Sequence, residues 1–418
     1  MRIEHLTQTQ STTTARIEAT IIWEDSQRPS RTIFFETTAA YAGALTCDPH
    51  AFLTAAVIPA MQHGEHRVKI DAPICPDLIT GLQTNMNWLR AWYPNDLEVV
   101  NLETGSAAWH APADCQTRSA SFLSGGIDSL TTLRANQLAY PSDHPGIIKD
   151  CLIVHGFDIG GLETLGDEGQ IFERTIASLQ PIATDAQVEL IPVRTNIRHL
   201  DDDVYFWMYK LHGAALSAVA HAFSRRLGRV YIGSTVNIPY IDPWGSHPLL
   251  DSNYSSSNLQ IRHDSIRLTR LDKVRVIADW DAALRNLRVC TMNPPDQLNC
   301  GKCEKCIRTM TELLALGKLA QAPSFSVQDV SPELLSTIEI TTDHQNAWYL
   351  ELVDLLAARG RSDLVAVIRR KSNEFRRRQA WEQERDWKGQ VKKFDRRRLG
   401  STLYRSYKGV RDIFSQTG

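Results

Sequence analysis

The chain has 418 residues, 43% of them hydrophobic, and a formal net charge of −2. Such a length predicts two or three domains with sizeable cores. No uninterrupted apolar run approaches the 18 residues that span a membrane, and Met1–Thr14 lacks the apolar core of a secretion signal. We therefore expect a cytoplasmic protein without a membrane partner.

Positive charge is concentrated near the C-terminus. Between Arg359 and Asp412 there are 18 Lys or Arg and 7 Asp or Glu, a balance of +11, so the remaining residues carry −13. Such a tail indicates an acidic macromolecular partner, RNA or protein, although a solvated helix face is the alternative. The arginine triplets and the aromatic residues that interleave with them are Arg376–Arg378, Arg396–Arg398, Trp381, Trp387, Phe394, Tyr404 and Tyr407.

Residues 1–115 contain no nucleotide-binding motif. Apolar alternation predicts strands over Ala15–Trp23 and Arg31–Glu36, and helical patterns cover Ala51–Met61 and Pro76–Tyr93. We expect a small α+β domain of unknown role here.

A phosphate-binding loop is predicted between Ser124 and Ser129. An apolar run meets a Ser-Gly-Gly turn, and a helical pattern follows at once. Gly125 and Gly126 allow a ligand to approach the backbone, and the helix N-terminus favours an anion. The two serine hydroxyls add donors, and Asp128 suits a phosphate site if Mg²⁺ bridges them. The pattern differs from the G-x-x-x-x-G-K-[ST] phosphate-binding loop. The alternative to phosphate binding is a glycine-rich turn that binds no ligand.

Strands and helices alternate after this loop. Strands are predicted over Cys151–His155, Val188–Val193 and Arg229–Ile232, and helices over Ile171–Ile182 and Val204–Leu227. Such alternation predicts an α/β fold with a doubly wound parallel sheet, in which ligands bind beyond the carboxyl ends of the strands.

The residues at these strand ends are the remaining candidates for the nucleotide site. We predict nucleotide binding by His155, Phe157, Thr195, Gly233 and Ser234. Arg194 could hold a phosphate or carboxylate, or form a surface ion pair. The candidates for proton transfer are His155, His212, His247 and His263, and a structural role is the alternative for each. His155 is favoured because it closes a strand beside the predicted site.

Four of the eight cysteines are clustered at Cys290, Cys300, Cys303 and Cys306. Four thiolates with two-residue spacings match a closed tetrahedral Zn²⁺ site that would fold its segment rather than catalyse. An iron–sulfur cluster and free thiols are the alternatives.

The Ser124–Ser129 segment resembles the S-G-G-x-D-S signature of the PP-loop (N-type) ATP pyrophosphatases. Together with the cysteines it resembles the 7-cyano-7-deazaguanine synthases (QueC) over residues 119–318. The resemblance implies a Rossmann-like PP-loop domain that uses ATP and Mg²⁺ to adenylate a carboxylate on a 7-deazaguanine base, releasing PPi. An amine then displaces AMP to form an amide, nitrile or conjugate. Leu268–Arg275 resembles that family's segment before the cysteines, so Lys273 joins Asp128 and Ser129 as a catalytic candidate.

The chain departs from this family at the substrate. The family's Y-P-D-C-R stretch is absent, and Asp242-Pro243-Trp244-Gly245-Ser246-His247-Pro248 follows the fourth strand end instead. We predict that Asp242, Trp244 and His247 contact the acceptor, Trp244 by stacking on its base; a loop anchor or a turn residue is the alternative for each.

Residues 1–115 and the helical region at 320–418, basic from about 359, are additional to the resemblance. Longer chains of this kind resemble QueC-like proteins of anti-phage defence operons, which implies a possible protein acceptor. A tRNA-modifying PP-loop enzyme is another alternative. A subunit that binds ATP only as a structural ligand is the non-enzymatic one, and the intact Asp128 argues against it.

Overall fold

A computed structural model describes residues 1–111, 117–159, 168–290, 292, 294 and 296–385. The chain divides into two compact units, Met1–Val330 and Ser331–Gly418. Within the described ranges, none of the helices combines the length and the apolar character that a membrane span requires.

The first unit is built on one sheet of ten strands, most of them parallel to their neighbours. Their order across the sheet is β10-β9-β6-β7-β8-β3-β2-β1-β4-β5. The strands are β1 Arg2–Gln10, β2 Thr14–Ile22, β3 Arg31–Thr38, β4 Arg67–Ile70, β5 Asn101–Thr104, β6 Arg118–Phe122, β7 Ile148–His155, β8 Glu189–Thr195, β9 Leu227–Gly233 and β10 Gln260–Asp264.

The predicted α/β class and parallel strands are confirmed over β6–β10. These five strands are mutually parallel, and β6 lies between β7 and β9. From β6 the chain moves outward through β7 and β8, then returns to the other side through β9 and β10. This reversal of direction is a topological switch point, where open α/β sheets bind their ligands.

The N-terminal strands extend the same sheet. β3 pairs antiparallel with β8, and β2 and β1 follow antiparallel, whereas β4 and β5 are parallel additions at the far edge. The separate domain predicted over residues 1–115 is described up to residue 111, and its strands share a sheet with the strands that follow.

Helices cover the sheet. α3 packs with α8, α4 with α9, and α1 with α6. The helices of this unit are α1 Pro49–Gln62, α2 Pro76–Trp92, α3 Ile127–Ala139, α4 Glu168–Asp185, α5 Val204–Phe206, α6 His212–Ala222, α7 Pro248–Asp251, α8 Arg270–Ile277, α9 Asp281–Asn286 and α10 Glu304–Leu316.

The predicted helix Val204–Leu227 is wrong in its extent. A π-helical turn at Trp207–Leu211 separates α5 from α6, and α6 ends at Ala222. Leu227 begins β9 instead. Phe223 and Leu227 continue the apolar spacing of the helix although the chain has already turned into the next strand.

The second unit is described up to residue 385 and is helical. In α14, Leu364, Ile368 and Phe375 are buried, whereas most of its arginines are exposed. The predicted tail residues Trp387, Phe394, Arg396–Arg398, Tyr404 and Tyr407 lie outside the described residues. The helices are α11 Pro332–Ser336, α12 Asp343–Leu350, α13 Val353–Ala358 and α14 Ser362–Arg385.

A buried polar cluster fastens α1 to the end of α6. Asp48 caps α1 by accepting from the His50 backbone N–H (3.0 Å), and the Ser224 hydroxyl donates to its other oxygen (2.6 Å). His50 Nε2 accepts from the Cys75 backbone N–H (2.8 Å), so its proton lies on Nδ1, 2.8 Å from Asp48 Oδ1. This tautomer leaves no lone pair on His50 Nδ1, which opposes metal binding by Asp48, His50 and the neighbouring His221.

His221 completes this cluster as a neutral imidazole. It is fully buried, and Nε2 donates to the Tyr254 carbonyl (2.8 Å). Burial, assisted by His50, lowers the pKa of His221 from 6.5 to about 4.

Acidification should therefore destabilise the fold. Between pH 6.5 and about 4 the unfolded chain binds a proton at His221 that the folded chain rejects, so this stabilisation is present above pH 6.5 and is lost as pH falls. The whole loss is about 3 kcal/mol. Urea unfolding at pH 7 and at pH 4.5 measures how far the free energy of unfolding falls on acidification. This fall should be smaller in His221→Gln than in the unmodified protein. The exposed His110→Gln is the control, and an undiminished difference in His221→Gln would contradict the assignment.

Candidate functional site

The Ser124–Ser129 loop lies at the switch point, between the end of β6 and the start of α3. Gly125 has φ +81°, a conformation that favours glycine, and Gly126 is the N-cap of α3. Ser129 Oγ donates to the Gly126 carbonyl (3.0 Å) and lies 3.3 Å from Ser124 Oγ. The loop is thus a closed turn that presents the first N–H groups of α3, which have no intrahelical acceptor.

Asp128 is joined to α8 by an ion pair with a buried lysine. The Lys273 side chain has 0% exposure, and its ammonium donates to Asp128 Oδ1 (2.9 Å). It also donates to the carbonyls of Ser234 and Thr235 at the end of β9. Lys273 therefore connects the loop with the neighbouring strand end. Among the described residues, no hydrogen bond or ion pair involves Asp128 Oδ2.

A second cation of α8, the Arg270 guanidinium, lies close to the same carboxylate. Arg270 Nη1 is 3.9 Å from Asp128 Oδ1, and Arg270 Nε donates to Glu312 of α10 (3.1 Å). Burial alone would lower the pKa of Arg270, but Glu312 and Asp128 raise it overall. Burial raises the pKa of Glu312 despite the opposing charges of Arg270 and Arg308. α10 thus holds a guanidinium against the loop.

Arg288 joins the loop to the cysteine segment. Its backbone N–H donates to the Gly125 carbonyl (2.9 Å), and its Nη1 donates to the Ser124 carbonyl (3.4 Å). A side chain at position 125 would lie 3.2 Å from Arg288 Cβ, so only glycine fits comfortably. Cys290 follows two residues later. The position of the cysteine segment therefore affects the position of Arg288 and, through its hydrogen bonds, that of the loop.

The four clustered cysteines come together. Cys290 Sγ lies 3.9 Å from Cys303 Sγ, Cys300 Sγ lies 3.9 Å from Cys306 Sγ, and all four sulfurs lie within 4.8 Å of one another. A tetrahedron of thiolates at about 2.3 Å from Zn²⁺ has S···S edges of about 3.8 Å. The geometry fits one ion, so this group could hold zinc.

Backbone groups support the cysteine site. Burial would raise the pKa of the Cys300 thiol, but N–H groups of Lys302 and Cys303 hold it at about 7. The buried Asn299 accepts from the N–H groups of Val289 (2.9 Å) and Cys290 (3.3 Å). Asn299 therefore fixes the approach of Cys290, a role that its sequence position does not reveal.

The predicted nucleotide-site residues of β7 and β8 are partly engaged in packing. The His155 ring contacts Phe172 edge-on (5.1 Å), and Phe157 packs on Trp207 (4.9 Å). Thr195 Oγ1 donates to the Phe34 carbonyl (2.7 Å), which commits that hydroxyl to β3. Arg194 pairs with Glu173 (3.2 Å), as its surface ion-pair alternative requires.

The end of β9 lies directly beside the loop. A side chain at Gly233 would come within 3.1 Å of the Asp128 carbonyl oxygen, so glycine permits this close approach. Ser234 Oγ donates to the Val236 carbonyl (2.6 Å), and the Ser234 carbonyl accepts from Lys273. Gly233 and Ser234 are thus brought together with Asp128 and Lys273.

The predicted acceptor loop is held firmly on the helices. Gly245 N–H donates to the Met208 carbonyl (3.1 Å), and Tyr93 Oη donates to the Pro243 carbonyl (3.0 Å). The π-helical turn makes the first contact possible, because His212 N–H bonds to the Trp207 carbonyl and leaves that of Met208 available.

The three predicted acceptor residues differ in environment. Asp242 is exposed, and Trp244 is half-buried with its ring edge-on to Tyr209 (4.6 Å). His247 is buried and caps α7, since its Nδ1 accepts from the Leu249 N–H (3.0 Å). Burial, with the neighbouring His263, lowers the pKa of His247.

The charge of Asp158 acts near both the predicted phosphate loop, Ser124–Ser129, and the predicted acceptor loop, Asp242–Pro248. Asp158, just beyond β7, raises the pKa of Arg288, although burial lowers it overall. Burial lowers the pKa of His212, against the opposing charges of Asp251 and Asp158. His212 also lies 6.1 Å from the Trp244 ring, so the charge of Asp158 acts on one residue near each loop.

Comparisons with known proteins assign no family: no family model, curated protein or solved structure matches the chain. The resemblance to PP-loop enzymes rests on the sequence motifs alone.

Proposed function

We propose that the chain is a PP-loop ATP pyrophosphatase, similar to the 7-cyano-7-deazaguanine synthases, that adenylates a carboxylate. A carboxylate oxygen attacks the α-phosphorus of ATP, PPi leaves, and an amine then displaces AMP from the acyl carbon. The observation that carries this proposal is the Ser124–Ser129 loop at the switch point, with Lys273, Arg270 and Arg288 around it. In this proposal β6–β10 are the Rossmann-like domain.

The charges around the loop support a polyphosphate ligand. Arg270 and Arg288 are buried guanidinium groups beside the loop, and their positive charges would attract a polyphosphate there. The N–H groups of α3 would add hydrogen bonds to the pyrophosphate. Positioning and charge neutralisation are the main contributions that phosphoryl chemistry needs from a protein.

Asp128 and Lys273 would have different roles at the phosphates, metal binding and positioning. Asp128 Oδ1 accepts from Lys273, so Oδ2 would be the oxygen available to a metal ion. Asp128 would hold Mg²⁺, which neutralises phosphate charge when bound. Lys273, tied to the Ser234 carbonyl, fixes the distance between the loop and β9.

The acceptor in this proposal is a 7-deazaguanine carboxylate, or a macromolecule that carries the carboxylate. The aromatic wall at Trp244 and Tyr209 supports a planar base. RNA at the basic C-terminal region remains the rival acceptor.

Removal of the Trp244 ring should weaken acceptor binding and leave ATP binding unchanged. Loss of base stacking costs about 1–3 kcal/mol. Calorimetric titration of Trp244→Ala with 7-carboxy-7-deazaguanine and a non-hydrolysable ATP analogue measures the change. Trp381→Ala, on the exposed face of α14, is the matched control. Equal acceptor affinity in both variants would contradict the stacking role.

The proposed reaction is tested by isotope exchange. With acceptor, Mg²⁺ and ATP present, labelled PPi should be incorporated into ATP, because adenylation is reversible before the amine arrives. The acceptors compared are 7-carboxy-7-deazaguanine and bulk RNA. Exchange with RNA alone would assign the chemistry to tRNA modification, and exchange with neither would count against a free base and an RNA acceptor alike.

A further inference from the structure

A buried carboxylate lies under the acceptor loop. Asp251, the last residue of α7, has 0% exposure. Its Oδ2 accepts from His263 Nδ1 (2.7 Å) and Ser246 Oγ (2.7 Å), and its Oδ1 accepts from the His247 backbone N–H (3.2 Å). Three donors therefore satisfy this buried charge, which holds its partners in fixed positions.

The carboxylate selects the tautomer of His263. Since Nδ1–H donates to Asp251, Nε2 of the neutral ring carries the lone pair. Among the described residues no donor occupies this nitrogen, and the side chain is 7% exposed. A buried aspartate that orients an imidazole in this way is the arrangement of a general base.

His263 lies at the end of the sheet that carries the phosphate loop. It is opposite Ile232 in the β10–β9 register, and the next pair is Asp264 with Gly233. Gly233 is the residue that approaches the Asp128 carbonyl. The Asp264 carbonyl also accepts from Ser234 N–H (2.9 Å), so β10 is tied to the strand end that Lys273 contacts.

We infer that His263, positioned by Asp251, accepts the proton of the amine that displaces AMP; this inference rests on the proposed function. The amine nitrogen attacks the acyl carbon and forms the C–N bond, while its surplus proton passes to His263 Nε2. The C–O bond to the AMP phosphate then breaks, and AMP leaves with the electron pair. Adenylation itself, in which a carboxylate attacks, requires no such base.

This difference between the two half-reactions gives the test. His263→Asn retains an amide N–H near the Nδ1 position and so can keep the bond to Asp251, but it has no base at Nε2. With 7-carboxy-7-deazaguanine and ATP, PPi exchange should stay within about twofold of the unmodified protein. Amide formation from ammonium should fall by about 100- to 10,000-fold, the contribution of a general base. His144→Asn, in the loop before β7, is the matched control.

Three outcomes would overturn the inference. Unchanged amide formation in His263→Asn would show that the ring takes no proton. An equal loss of PPi exchange and of amide formation would show that His263 only fastens β10 to α7. An absence of exchange in the unmodified protein, with 7-carboxy-7-deazaguanine and with RNA, would remove the proposed function, and this inference with it.

Discussion

Replacement of Asp128 by asparagine is expected to reduce PPi release from ATP by at least about 1,000-fold. Asparagine retains an oxygen that can accept from Lys273, so the buried ammonium keeps a partner. The negative charge that would hold Mg²⁺ is lost. Alanine should abolish PPi release as well. It would also remove the carboxylate partner of Lys273, whose side chain has 0% exposure. Asparagine is therefore the cleaner variant.

The exposed Asp143→Asn, in the loop after α3, is the control for this experiment. Circular dichroism and urea unfolding should show that both variants keep the fold. If Asp128→Asn released PPi at the rate of the unmodified protein, Asp128 would have no part in the phosphate chemistry.

Loss of the metal is the second large effect. The purified protein should contain close to one zinc per chain, because four thiolates complete one closed site. Cys303→Ser should lose that zinc together with a large part of the unfolding free energy, which is typically about 5–15 kcal/mol for a folded chain. Because Arg288 joins the cysteine segment to Gly125, PPi release should fall as well.

Elemental analysis and thermal unfolding measure these changes. Cys47→Ser is the matched control, since Cys47 donates to the Thr7 carbonyl and lies outside the cluster. Iron with a visible charge-transfer band in the unmodified protein would contradict the zinc assignment. Full zinc content in Cys303→Ser would contradict the proposed ligand set.

Local patterns made part of this molecule predictable. Three of the cysteines stand within seven residues, so their clustering needed no knowledge of the tertiary fold. The turn from Ser124 to Ser129 between a strand and a helix is also a local pattern. The strands β2, β3 and β6–β9 have the apolar residues that a buried sheet requires. Strands β1, β4, β5 and β10 escape prediction because they are short or mostly polar, as in Gln260–Asp264.

The contacts between distant residues could not be predicted. Arg288 and Asp251 act on partners that only the folded sheet brings near, and nothing in their neighbouring sequence marks them. Arg270 lies within the Leu268–Arg275 segment, but its contacts with Asp128 and Glu312 become visible only in the structure. The pairing of β3 with β8, which joins the N-terminal strands to the parallel ones, is also a contact between segments that are distant in the sequence. His263 could be recognised as a candidate from its residue type, but its buried partner Asp251 becomes visible only in the structure.

Oxygen transfer from the acceptor tests the central claim most directly. 7-carboxy-7-deazaguanine labelled with ¹⁸O in its carboxylate is incubated with the protein, Mg-ATP and ammonium, and the nucleotide products are analysed by mass spectrometry. Adenylation of the carboxylate predicts AMP that carries one ¹⁸O, together with unlabelled PPi. Formation of ADP, with ¹⁸O in inorganic phosphate, would show attack at the γ-phosphorus and would contradict the proposed pyrophosphatase chemistry.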